Sequence, residues 1–189
     1  RHQLTWSRDS LDNDLNENLY LDEKFFEGRL SLASAYQRKI RNGLKLKAGL
    51  QVTVLNYDLF SKGWDTKAAV WRPTIKGKGA SLLTRAYTDL NYKPTRKLTL
   101  NGGLHLLYFS LNHSAMLEPR FAAQYQFNAA QSLSLAYGLH SQIQPLGNYF
   151  ILLTDDTTGK IISQPNIDLG LNKAHHVVLS YDHAFLANT

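Results

Sequence analysis

The sequence predicts an all-β fold, an antiparallel up-and-down meander of about eight long strands that forms part of a transmembrane outer-membrane β-barrel. Three observations predict it. Apolar and polar residues alternate with a period of two over long stretches, the mark of a strand with one oily and one wet face. Most of these stretches reach 10 or more residues, where strands of soluble proteins are nearer about 5–6. Short turns and long polar connections take turns along the chain, which is how outer-membrane barrels are built.

The first stretch is short, Gln3 to Arg8, with Leu4 and Trp6 on one face. The second, about Gly28 to Ile40, sets Leu30, Leu32 and Tyr36 opposite Arg29, Ser31, Gln37 and Lys39. Asn42-Gly43 follows, a strong two-residue hairpin signal. The third runs from Leu44 to Tyr57, with Leu44, Leu46, Ala48, Leu50, Val52 and Val54 against Lys45, Lys47, Gly49, Gln51 and Thr53. Ser81 to Tyr92 and Lys97 to Ser110 flank a turn at Pro94-Thr95. The sixth stretch, LEPRFAAQYQF from Leu117 to Phe127, sets Leu117, Pro119, Phe121, Ala123 and Tyr125 against Glu118, Arg120, Gln124 and Gln126. After Asn128-Ala129-Ala130, Leu133, Leu135, Tyr137 and Leu139 alternate with Ser132, Ser134, Gly138 and His140. The last stretch, His175 to Phe185, carries Val177, Leu179 and Tyr181 on one side. Three long connections are expected, at about Asp9–Glu27, Leu59–Ala80 and Gln142–Ala174.

One segment, residues 1–189, accounts for the chain, with no plug domain in it. No run approaches the ~18 consecutive apolar residues of a membrane helix. The chain has no cysteine, so disulfides and cysteine-based metal or redox sites are excluded. A net charge of +6 invites a nucleic-acid reading, but the cations are spread along alternating strands rather than gathered on one helix or face. No nucleic-acid partner is expected. The inward set Lys45, Lys47, Asp89, Arg120, Gln124 and Gln126 suits a watery lumen, which leaves the apolar faces for outer-membrane lipid. Tyr20, Tyr36, Tyr92 and Phe127 stand near strand ends, where an aromatic girdle would lie.

Several phrases carry a family likeness: Tyr108-Phe109-Ser110-Leu111-Asn112, Leu117-Glu118-Pro119-Arg120, Tyr137-Gly138-Leu139-His140-Ser141-Gln142 and Lys173-Ala174-His175-His176. Through them roughly the second half of the chain resembles the β-barrel of TonB-dependent outer-membrane receptors, of the nutrient-uptake type with a carboxypeptidase-regulatory-like domain. The resemblance implies a 22-stranded barrel around an N-terminal plug, import of a small nutrient ligand, and a TonB-type energy transducer acting through that plug. The absent plug, the eight strands and the ending HAFLANT make this an internal fragment of such a barrel. Two alternatives stand beside it, a self-contained eight-stranded outer-membrane barrel with a structural or adhesive role and a soluble β-sheet binding module.

No nucleophile–base–acid set is visible, so no enzyme activity is expected. Trp64, Trp71 and Arg72 crowd one connection with Lys62, Lys67, Lys76 and Lys78, a composition that grips sugars or anionic solutes and equally suits a solvated basic loop. Arg120 and His140 face inward and are candidate ligand contacts, while His175 and His176 must point to opposite faces. No transition-metal site and no cofactor are expected. Asp12, Asp14, Asn16 and Glu23 fall at positions 1, 3, 5 and 12 of an EF-hand-like loop, so calcium is a candidate there. Glu17 replaces the glycine such loops need at position 6, and the plain alternative is an acidic solvated loop.

Overall fold

A computed structural model describes the backbone of residues 2–13 and the whole of residues 21–185. The chain folds into one antiparallel eight-stranded sheet with a small two-stranded hairpin beside it. The strands are β1 (His2–Asn13), β2 (Leu21–Arg41), β3 (Leu44–Asp65), β4 (Val70–Tyr92), β5 (Leu98–Phe109), β6 (Ser114–Gln126) and β7 (Gln131–Gln142). Then come one helical turn α1 (Leu146–Tyr149), the hairpin β8 (Leu153–Thr154) and β9 (Ile161–Ser163), and finally β10 (Asn172–His183). Sheet order follows the chain, β1-β2-β3-β4-β5-β6-β7-β10, so the architecture is up-and-down. β1 and β10 are the two edges, and among the described residues the sheet stays open rather than closing on itself.

The expected strands are all present, but the first four are much longer than the alternation indicates. β3 runs 22 residues and β4 runs 23. The connection expected at Leu59–Ala80 is therefore strand apart from the Thr66–Ala69 turn. Most of the one expected at Asp9–Glu27 is strand as well, and residues 14–20 lie outside the description. The physical reason is a switch of polarity. From Leu44 to Val54 the even positions of β3 are apolar and face outward. Beyond Val54 the odd positions Leu55, Tyr57 and Leu59 become the apolar ones, and all three are buried on the inner face. The outer face turns polar at Asn56 and Asp58, and Asp58 pairs across the strands with Lys78 at 3.1 Å. Such a switch breaks a periodicity count without breaking the strand.

Among the described residues, only the third long connection, Ile143–Leu171, leaves the sheet. It lies on the inner face at the long-hairpin end. Leu146, Tyr149 and Phe150 join Leu55, Tyr57, Leu59, Leu83, Leu107 and Phe109 in the main buried cluster. The Tyr149 ring meets Phe109 with centroids 5.4 Å apart, and Phe150 meets Tyr57 at 4.8 Å. Gly77 makes room for this strap, since a Cβ there would fall within the Phe150 ring. Because β5 starts pairing with β4 only at Leu83, the upper edge of β4 is free of β5. The strap covers it: Lys76 N–H donates to Phe150 O at 3.1 Å, and Leu152 N–H to Thr74 O at 2.8 Å. An uncovered edge would invite pairing with another chain.

The two faces of the lower sheet differ sharply. Outward lie Leu30, Leu32, Leu50, Leu90, Leu104, Leu117, Phe121, Leu135, Val177 and Leu179, all exposed, with Leu117 at 52% and Leu179 at 71%. Nothing in the described residues covers them. Inward lie lysines, amides, serines and small residues.

Candidate functional site

The inner face is organised in transverse rows fixed by strand register. One row joins Gln37, Lys47, Asp89, Gly103, Arg120, Gly138 and His176 across seven strands. The row beside it, toward the short turns, joins Lys39, Lys45, Asn91, Asn101, Ala122, Ala136 and Val178. Small residues along β5, β6 and β7 leave a hollow of about 540 Å³ over these rows, rimmed by Lys45, Lys47, Arg120, His140 and His176. A smaller hollow of about 170 Å³ adjoins it between Arg85, Tyr87, His105 and Glu118.

The carboxylates of this trough are already engaged. Glu118 is 5% exposed and accepts from the Ser141 N–H at 2.8 Å, the Ser141 hydroxyl at 2.6 Å and Arg120 Nη2 at 2.8 Å. Asp89 Oδ1 lies 2.9 Å from His105 Nε2. Gly103 is needed for this pair, because a Cβ there would collide with the Asp89 carboxylate. Arg120 Nε is buried with no hydrogen-bond partner, an unusual state for a charged donor. The His140 and His176 rings meet edge to face at 4.9 Å.

The five candidate ligand residues separate into two places. Arg120 and His140 come together in the trough. Trp64, Trp71 and Arg72 sit far along the β3–β4 hairpin, on paired strands rather than the expected loop. Trp64 and Trp71 are directly opposite in register and stack edge to face at 5.6 Å, and the Lys62 ammonium lies 4.9 Å from the Trp71 ring centre. The hairpin's cations are largely paired within the fold: Lys62 with Asp22 at 2.9 Å and Arg72 with Asp65 at 2.8 Å.

Arg72 also ties the hairpin to the strap. Its Nη1 donates to Asp155 O at 2.7 Å and its Nη2 to Asp156 O. The turns on both sides are closed by carboxylates. Asp65 accepts from the N–H groups of Ala68 and Lys67, which with the Arg72 guanidinium hold its carboxyl below the usual carboxylate value. Asp155 is lowered likewise, first by the Thr158 N–H and then by its hydroxyl and the Thr157 N–H. Histidines 175 and 176 do point to opposite faces, and His175 Nδ1 lies 3.0 Å from the Tyr137 hydroxyl on the outer side. Of the EF-hand-like positions, residues 14–20 lie outside the described residues, and the Glu23 carboxylate accepts from the Ser61 hydroxyl at 3.0 Å.

Sequence reasoning placed Lys45, Lys47, Asp89 and Arg120 on the inward face from parity alone. It missed the Glu118–Ser141 contact, because parity gives a face and not the neighbour across the strands. It also missed Tyr149 and Phe150 as closing groups, since nothing periodic marks that segment. No protein-family model, no curated protein and no solved structure matches this chain.

Proposed function

We propose that this sheet is a lipid-spanning arc of an outer-membrane β-barrel of the TonB-dependent receptor kind, which takes up a small nutrient ligand. One observation carries the reading: the uncovered apolar band on the outer face has the height of a membrane. On β3 it extends from Leu44 to Val54, and polar Asn56 and Asp58 follow. Ten residue steps make roughly 34 Å of strand, or about 26 Å of height at a tilt of roughly 40°. The apolar band of such barrels is about 25 Å tall. Tyr125 and Tyr181 mark its lower rim in one register row with Leu98 and Leu133. A soluble protein exposing so much contiguous apolar surface would aggregate or need a partner over it.

In this reading the trough is the wall of a water-filled lumen, and the strap and long hairpin project beyond the bilayer. The residues that complete the barrel and couple it to an energy source are supplied outside this sheet. A self-contained eight-stranded barrel has less in its favour, because β1 and β10 do not meet. A soluble module would have to hide the outer band.

Fluorescence quenching tests the reading. With Trp6, Trp64 and Trp71 replaced by phenylalanine, Phe121→Trp in vesicles of brominated phospholipid should be strongly quenched, and Gln124→Trp on the opposite parity should not. Equal quenching, or a chain that folds to a soluble monomer without detergent, would refute it.

A further inference from the structure

We propose that the trough binds a small solute bearing two or more acidic groups, held by Lys45, Lys47 and Arg120. The inference rests on the inner face being water-filled and adds the ligand's charge to that reading. Three observations carry it.

The cations are in surplus. Asp89 and Glu118 are committed to His105, Ser141 and Arg120 at the distances given above, while Lys45 and Lys47 have no ion pair among the described residues. Lys47 instead lies 5.3 Å from the centre of the Tyr87 ring, which steadies its ammonium without neutralising it.

Like charges are also set directly opposite one another. Lys39 and Lys45 are register partners on the inner face, an arrangement that destabilises a sheet unless an anion lies between or beside the pair.

Finally, Arg120 has a donor to spare. Glu118 takes Nη2, while Nη1 makes no hydrogen bond among the described residues and the side chain, 36% exposed, lines the hollow. A carboxylate or phosphate oxygen in that hollow would meet the spare guanidinium donor in a charge-assisted hydrogen bond.

The test is calorimetric titration of the full chain in nonionic detergent micelles at low ionic strength, with citrate, pyrophosphate and maltose as probes. Saturable binding of citrate or pyrophosphate, and none of maltose, is the expected result; which anion binds tells carboxylate recognition from phosphate recognition. The Lys45→Gln/Lys47→Gln double variant should weaken binding about tenfold or more, and added salt should weaken it in the unaltered chain. Lys45→Arg/Lys47→Arg should retain binding, which separates lost charge from lost fold. Arg38→Gln should leave it unchanged, since Arg38 pairs with Leu46 on the outer face. Absence of saturable anion binding, maltose binding as tightly as citrate, or an equal loss in Arg38→Gln would overturn the proposal. Lipid quenching of Phe121→Trp does not depend on these lysines, so this inference can fail while the membrane reading stands.

Discussion

Introducing arginine at adjacent positions of β6 tests which face meets lipid, and the strand geometry sets the size of the effect. β6 spans Ser114–Gln126, so Arg120 marks its midpoint and Pro119 and Phe121 are the outward residues at mid-band. Leu104, the register partner of Pro119, shares that depth. Ala123 lies three residues away, about 10 Å along the strand and about 8 Å in depth at a tilt of roughly 40°. That places it within about 5 Å of the rim of a ~25 Å band. A lipid-facing arginine costs about 2–4 kcal/mol at the midplane and about 0–1 near the interface. Leu104→Arg should therefore lose about 2–4 kcal/mol and Ala123→Arg about 1–2. Ala122→Arg would project into the hollow on the inner face and should cost less than about 1 kcal/mol, mainly from repulsion by Lys45 and Arg120. The assay is urea-dependent unfolding of each variant in phospholipid vesicles, followed by tryptophan fluorescence. A larger loss at 122 than at 123, or a Leu104→Arg variant as stable as the parent, would refute the assignment of faces.

The strap should unfasten locally when its anchor is cut back. Tyr149 is fully buried against Phe109 and its hydroxyl accepts from the Gln144 N–H at 3.1 Å, so Tyr149→Ala should cost about 3–5 kcal/mol of strap docking. Limited proteolysis would then cut within residues 143–171 while leaving the strands intact; unchanged resistance would show that Tyr149 is not the anchor. The clasp around Arg72 should weaken in acid. Asp65 and Asp155 have native values below the ordinary 3.8, so their contribution is complete at neutral pH. It begins to fall as the pH drops past 3.8 and is gone only below the depressed native values. The protection factors of the Ala68 and Thr158 amides, taken against the intrinsic exchange rate at each pH, should fall over that interval, and Asp65→Asn should flatten the response at Ala68; protection factors that stay constant between pH 5 and 2.5 would count against the clasp.

Strand number, order and direction were set by local sequence, because a two-residue side-chain period and a turn such as Asn42-Gly43 act between near neighbours. Gly43 takes the positive φ of 77° that this turn requires, and strands joined by short turns have little choice but to pair in order. The same parity assigned Arg120, Lys45 and Lys47 to the inner face and Phe121 and Tyr125 to the outer one. Strand length was another matter. Alternation reports which side is apolar, and on β3 the apolar side changes at Leu55 because a segment some ninety residues later, Leu146–Phe150, folds against it. The row Lys47–Asp89–Gly103–Arg120 is likewise a product of register among four strands, and the Glu118–Ser141 contact depends on how β6 meets the end of β7. Periodicity is a property of one strand, whereas a hollow needs the side chains of several, and only the folded sheet brings those together.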